Sequence, residues 1–308
     1  MRIVFLGQAP FGADCLKALV EQGEEVVGAI TVPDRPGKKP NPVKVYAEEK
    51  GIPLLQPTRL RNPEVYDWVK DLQPDLLVLA FVTDFVPVEV INLAKHGGIN
   101  YHPSLLPKYR GGTAMNWAII NGEKETGVTI HYIDEGVDTG DIIIQEKVPI
   151  DPDDTVKSLY FEKLYPLGVK MVPEAVRLIR EGKASRVPQD ESQASFQPVI
   201  KEKDVIIDWN RPTQKVYDLI RGSNPVPGAT TWYKGEKLKI WEGRPVEGAA
   251  GKSPGEVVAL EDDGFIIATA DGAIKAERVQ LPESEKAKIP AADFIKAKSL
   301  QVGDRLGQ

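Results

Sequence analysis

The sequence predicts an α/β protein: a mostly parallel, doubly wound sheet followed by a smaller all-β domain. Three observations carry this. Short continuous apolar runs, Arg2–Gly7, Val26–Thr31 and Leu76–Phe81, read as strands buried on both faces. Amphipathic helical patterns alternate with them, the order that builds βα units and a parallel sheet. Beyond about residue 205 the pattern changes to short β-rich runs separated by Gly and Pro.

Each element has its own justification. After Arg2–Gly7, the turn Gly7-Gln-Ala-Pro-Phe-Gly12 leads into a helix with Leu16, Leu19 and Val20 on one face. Tyr46–Lys50 reads as helix, Leu54–Leu55 as a short strand and Pro63–Leu72 as an amphipathic helix. Val88–Ala94 is helical, Gly98–Tyr101 a strand, Gly112–Ile120 a helix and Gly127–Ile133 a strand. Asp151-Pro-Asp-Asp-Thr155 offers N-caps for a helical region reaching about Arg180, which Pro166 and Pro173 should break or kink. Gly182–Phe196 is polar and reads as a loop. A last helix, Thr213–Arg221, precedes strands at Gly228–Tyr233, Leu238–Glu242, Gly255–Leu260, Gly264–Ala268 and Ala273–Leu281, a small barrel or sandwich. The domains are expected at 1–204 and 205–308.

The chain has 308 residues, 42% apolar and 27% charged, with a net charge of −6. That length is comfortable for two cores. The acidic balance argues against a protein that coats nucleic acid, so no DNA partner is expected. No segment approaches the apolar length of a membrane span, and Met1–Leu6 is too short for a signal sequence. A single cysteine, Cys15, excludes an internal disulfide and fits a cytoplasmic protein. Its place between Phe11 and Leu19 reads as a small buried hydrophobe.

Two motifs concentrate chemistry: Asn100-Tyr-His-Pro-Ser-Leu-Leu-Pro-Lys-Tyr-Arg-Gly111 and Asp134-Glu-Gly-Val-Asp-Thr-Gly-Asp141. Each follows a strand, at the carboxyl ends where doubly wound sheets bind ligands. Asn100 supplies an amide donor for a developing oxyanion. His102 can move a proton near neutral pH, and Asp138 can orient it or take up a proton. These are the groups an amine needs to attack a formyl carbon. Of the other histidines, His96 reads as a helix-end residue and His131 as a packed strand residue. One histidine, one asparagine and one distant aspartate make no zinc site, so no metal is expected. Gly7-Gln-Ala-Pro-Phe-Gly12 matches neither a dinucleotide fingerprint nor a phosphate loop. It reads instead as a loop whose backbone approaches a substrate.

Asn-x-His-x-Ser-Leu-Leu-Pro, followed by Glu125-Thr-Gly-Val-Thr-Ile130 and Asp138-Thr-Gly-Asp141, resembles the formyltransferases that use 10-formyltetrahydrofolate. Pro33-Asp-Arg-Pro36, Ile207-Asp-Trp209, Pro227-Gly228 and Ala292-Asp-Phe294 extend the resemblance, to the methionyl-tRNA formyltransferases, over both domains. The resemblance implies a Rossmann-like sheet, a C-terminal OB-like β-barrel, and catalytic roles for Asn100, His102 and Asp138. It implies 10-formyltetrahydrofolate as co-substrate, held by Phe85, Val86, Pro87, Ser104, Leu105, Leu106, Pro107, Ile133 and Gly136. Gly7, Phe11, Gly12, Arg110, Lys38 and Lys39 are then expected to face the acceptor, an amine, with tRNA as a candidate. Tyr101-His-Pro-Ser-Leu-Leu-Pro107 is also similar to the hydrolase domain of 10-formyltetrahydrofolate dehydrogenase, which has an apolar residue in place of Asn100. Pro36–Lys44 is shorter than the basic loop of the tRNA enzymes, and residues 205–308 carry fifteen Lys/Arg against fifteen Asp/Glu. Initiator methionyl-tRNA ranks first as acceptor; water, an amino sugar or another small amine stay open, and a non-catalytic folate-binding protein ranks last.

Overall fold

A computed structural model describes residues 1–249, 251–281 and 287–307. The strands are β1 (Arg2–Gly7), β2 (Glu25–Ile30), β3 (Leu54–Leu55), β4 (Leu76–Ala80), β5 (Gly98–His102), β6 (Arg110–Gly111), β7 (Glu125–Tyr132), β8 (Ile142–Pro149) and β9 (Phe196–Gln197). They continue as β10 (Ala229–Tyr233), β11 (Glu236–Val246), β12 (Val257–Glu261), β13 (Gly264–Ala268), β14 (Ala273–Gln280) and β15 (Ile289–Pro290). The α-helices are α1 (Ala9–Glu21), α2 (Pro42–Lys50), α3 (Pro63–Leu72), α4 (Val88–Ile91), α5 (Ala114–Ile120), α6 (Val156–Ser158), α7 (Tyr165–Arg180), α8 (Thr213–Gly222) and α9 (Ala291–Lys298). They fall into two compact units: residues 1–111, 127–148 and 161–196, and residues 112–126, 149–160 and 197–308.

In the first unit, a seven-stranded sheet runs in the order β3-β2-β1-β4-β5-β7-β8. The pairs from β3 through β5 are parallel, and β7 joins β5 antiparallel. One face packs Val4, Leu6, Leu77 and Leu79 against Val65 and Val69 of α3 and Val90 of α4. Local chemistry sets the helix ends. Asn41 accepts from the Val43 amide, Pro42 occupies the first turn, and Gly51 closes α2 in the left-handed region at φ 66°. The helix therefore starts earlier than its apolar residues indicate.

The expected long helix is divided. α6, capped by Thr155, runs into a π-helical segment at Leu159–Leu164 and then α7. Pro166 falls in the first turn of α7, where a missing N–H costs nothing. Pro173 is tolerated inside α7, amid buried Met171, Val172, Ala175 and Val176. Strand β8 was not legible in the sequence because Ile143 is its only buried residue.

The second unit is an antiparallel sheet in the order β10-β11-β14-β13-β12, with β15 on β14. Leu306 bridges Tyr233 on one edge and Arg305 bridges Glu256 beside the other, so the C-terminal residues link the two edges, as a barrel requires. Trp209, Tyr233, Leu238, Ile240, Phe265 and Phe294 fill its core.

Candidate active site

β5 carries Asn100 and His102 two residues apart, the spacing that puts both on one face. The antiparallel register places His131 of β7 directly opposite Asn100. The loop leaving β7 then presents Asp138, whose φ of 55° lies in the left-handed region that aspartate tolerates better than most residues. Asp138 Oδ2 accepts the Gly111 N–H at 2.9 Å and lies 3.5 Å from His102 Nδ1. Its Oδ1 accepts from Asn100 Nδ2 at 3.4 Å and lies 3.5 Å from His131 Nε2. The structure thus brings the three anticipated residues together and adds His131, whose Nδ1 donates to the Tyr132 carbonyl at 2.7 Å. Sequence reasoning missed His131 because its place follows from the antiparallel pairing of β7 with β5.

The electrostatics divide the labour. His102 is buried, and its Nε2 is 2.7 Å from the Tyr109 carbonyl oxygen. A carbonyl only accepts, so Nε2 carries the proton and Nδ1 is the free base facing Asp138. Burial lowers the His102 pKa, against the opposing pull of the Asp138 charge and the Tyr109 carbonyl. Burial works in the other direction on Asp138, but the His131 hydrogen bond, the His102 charge and the Gly111 amide outweigh it and hold the carboxyl at about 2. An ionised acid therefore sits beside a neutral base at pH 7.

Several of the surrounding candidate residues are engaged within the protein. The Arg110 guanidinium is buried, donating to Glu191 at 2.7 and 3.0 Å and to the Gln189 amide oxygen at 2.8 and 3.0 Å. Gln189 in turn donates to the Asp138 and Gly140 carbonyls at 2.9 and 2.8 Å, so Arg110 steadies the loop that carries Asp138. The Phe11 ring is buried, 4.4 Å from that of Tyr101 and 5.3 Å from that of Tyr165. Ser104 is buried and donates to the Lys108 carbonyl at 2.7 Å, which occupies the hydroxyl expected on folate.

Phe85 is 58% exposed, whereas Val86 and Leu106 are buried. Pro107, in a cis peptide with Leu106, continues that loop, and Leu105 and Ile133 are half-buried. Gly136 leaves no room for a Cβ, which would stand 2.0 Å from Thr139 Oγ1. Lys38 and Lys39 are exposed. Gly12 is buried inside α1, where a Cβ would stand 3.2 Å from Val43.

Gly7 is likewise tight, a Cβ there standing 2.7 Å from the Ala80 carbonyl oxygen. It borders a cavity of about 210 Å³ beyond the carboxyl ends of β1, β2 and β4. Of nine non-glycine residues with positive φ among the described residues, Ala9 opens α1 just after β1, and Phe81, Tyr109 and Asp138 lie in the loops leaving β4, β5 and β7. Such conformations cost roughly 1–3 kcal/mol each and cluster at functional sites. Among the described residues no group of His, Cys, Asp or Glu could hold a metal ion, and no helix is long and apolar enough to cross a membrane.

A sheet that places an amide, a neutral imidazole and an ionised carboxylate at the ends of two neighbouring strands defines a group-transfer enzyme. The chain belongs to the formyl transferase family: residues 1–176 match its formyl transferase domain and residues 199–299 its C-terminal domain. A methionyl-tRNA formyltransferase of Geobacter sulfurreducens is 40% identical over all of this chain and 97% of its own length. One of Bacillus mycoides is 40% identical over all of this chain and 99% of its own. Among solved structures, HypX from Aquifex aeolicus in complex with tetrahydrofolic acid aligns with a TM-score of 0.67 at 24% identity, over 99% of this chain and 48% of that one. The sugar 3N-formyl transferase WlaRD aligns with a TM-score of 0.67 at 22% identity, over 90% of this chain and 97% of that one. These two show the shared fold.

Proposed function

We propose that the protein transfers the formyl group of 10-formyltetrahydrofolate to the amino group of initiator methionyl-tRNA. The observation that carries the chemistry is the Asn100–His102–Asp138 cluster, with the free Nδ1 of His102 3.5 Å from an ionised carboxylate. The full-length likeness to methionyl-tRNA formyltransferases favours the acceptor.

The donor supplies an activated formyl carbon on N10. The exposed Phe85 ring and the loops through Leu105, Pro107, Ile133 and Gly136 would hold its flat ring system. The amine forms a bond to the formyl carbon, and the carbonyl oxygen becomes negative. The Asn100 amide donates to that oxygen. His102 accepts the amine's proton on Nδ1 and passes it to N10 as the carbon–N10 bond breaks. While His102 is an imidazolium, Tyr109 accepts from Nε2–H and Asp138 neutralises the charge at Nδ1. One bond forms, one breaks, and one proton moves from the amine to N10.

The test is purified protein with 10-formyltetrahydrofolate, followed by release of tetrahydrofolate. Release only on adding charged initiator tRNA is expected. Rapid release without any acceptor would make the protein a hydrolase, and release only with a small amine or an amino sugar would reassign the acceptor.

A further inference from the structure

The cavity beyond β1, β2 and β4 lies apart from the Asn100 cluster, and the mechanism above does not use it. Its walls include Val32, Pro33, Pro57 and Phe81, apolar faces suited to a flat ring. Gln8, Thr31, Thr58 and Thr83 supply neutral hydrogen-bonding groups. The Thr31 hydroxyl is unusual. The residue is 5% exposed, and its Oγ1 meets no hydrogen-bond partner among the described residues. A buried hydroxyl left unpaired costs about 1–3 kcal/mol, so it is a group waiting for a ligand. Phe81 is held in the left-handed region at φ 64° with 41% of its surface exposed, a costly placement for an aromatic ring with nothing to cover. At the rim Arg59 is 63% exposed, with Asp84 3.7 Å away.

Size and distance narrow the occupant. A cavity of 210 Å³ falls below the roughly 300–1,000 Å³ of drug-sized sites and suits one ring system, not a dinucleotide. β5, which carries Asn100, is separated from β1 by β4 alone. Its lining follows β4, β1 and β2, so at about 4.8 Å per strand the cavity extends from roughly 5 to 15 Å from β5, with its middle about 10 Å away. In an aminoacyl nucleoside, about seven covalent bonds join the base nitrogen to the α-amino nitrogen, roughly 8 Å extended. The base itself spans the remainder.

We propose that this cavity seats the purine base of the nucleoside at the aminoacylated 3′ end of the acceptor, with Thr31 hydrogen-bonding the base, Phe81 covering it and Arg59 near the adjoining phosphate. This rests on the tRNA reading of the function. It makes Thr31 and Phe81 specificity residues that select an aminoacylated nucleoside over a free small amine.

Two variants and one probe test it. Thr31→Val keeps the shape and removes only the unpaired hydroxyl, so the melting temperature should hold or rise. The KM for methionyl-tRNA should nevertheless rise about tenfold, or about 1.4 kcal/mol, while the KM for 10-formyltetrahydrofolate stays within twofold. Phe81→Ala should do the same. Adenosine monophosphate should bind the wild type and compete with methionyl-tRNA but not with the folate, and its binding should weaken in both variants. A tenfold rise in the folate KM instead would give the cavity to the donor's ring and overturn the proposal. So would unchanged acceptor KM values in both variants, or no binding of adenosine monophosphate. If the wild type does not formylate methionyl-tRNA, the functional reading fails separately, and binding of the nucleotide to wild type against Thr31→Val still decides the cavity.

Discussion

Replacing Asp138 by asparagine removes one charge and one acceptor, the Oδ1 that takes the Asn100 amide at 3.4 Å. Asparagine is isosteric and tolerates the left-handed backbone at φ 55° as well as aspartate does, so the loop should keep its path. Its amide oxygen can still accept the Gly111 N–H, now at 2.9 Å from Oδ2. The loss is the counter-charge 3.5 Å from His102 Nδ1, where the side chain of Asp138 is only 12% exposed. With an effective dielectric constant of ~20, two unit charges at that distance attract by roughly 5 kcal/mol. The attraction exists only once His102 has taken the proton, so it acts on the transition state and not on substrate binding. At about 1.4 kcal/mol per tenfold, kcat should fall by roughly 10³, with little change in either KM. The assay is single-turnover formylation of methionyl-tRNA across pH, with the His102 titration followed by NMR. The His102 pKa should drop further in the variant. A kcat within tenfold of wild type and an unshifted imidazole titration would refute the charge-pair account.

Acid should weaken both stability and activity. The Asp138 carboxyl is held at about 2 against its ordinary 3.8, so its stabilisation is present above pH 3.8 and lost as pH falls towards 2; the gap amounts to roughly 2 kcal/mol. His102 is depressed below 6.5, so the unfolded chain takes up a proton first as pH drops, and stability declines from about that pH downward. Denaturant midpoints measured across pH should therefore fall in two steps for the wild type, and the lower step, which Asp138 shares with other lowered carboxylates such as Asp34 and Asp304, should shrink in Asp138→Asn. Arg110→Ala removes the buried guanidinium from Gln189 and Glu191; because the Glu191 side chain is 71% exposed, the expected loss is about 1–2 kcal/mol. Thermal melts should show it, and kcat should fall through the loosened Asp138 loop with the KM for methionyl-tRNA unchanged. A raised acceptor KM with normal stability would restore Arg110 to the acceptor.

The sequence by itself determined β1, β2 and β4 of the first sheet, since continuous apolar runs can be satisfied only by burial on both faces. It also placed Asn100, His102 and Asp138 at strand ends, where an open sheet exposes its ligand site. What it left undecided depends on groups that meet only after the chain has folded. β8 is half-exposed and has no periodic signature. His131 looked like a strand residue until the antiparallel register set it against Asn100 and Asp138. Arg110 looked available until Gln189 and Glu191, far along the chain, occupied it. The protonation pattern that makes His102 a base comes from the Tyr109 carbonyl, and the unpaired hydroxyl of Thr31 follows from the packing around it. Periodicity and capping are local and can be read along the chain; partners, burial and the pKa shifts they cause are properties of three-dimensional neighbours, and only the tertiary structure fixes those.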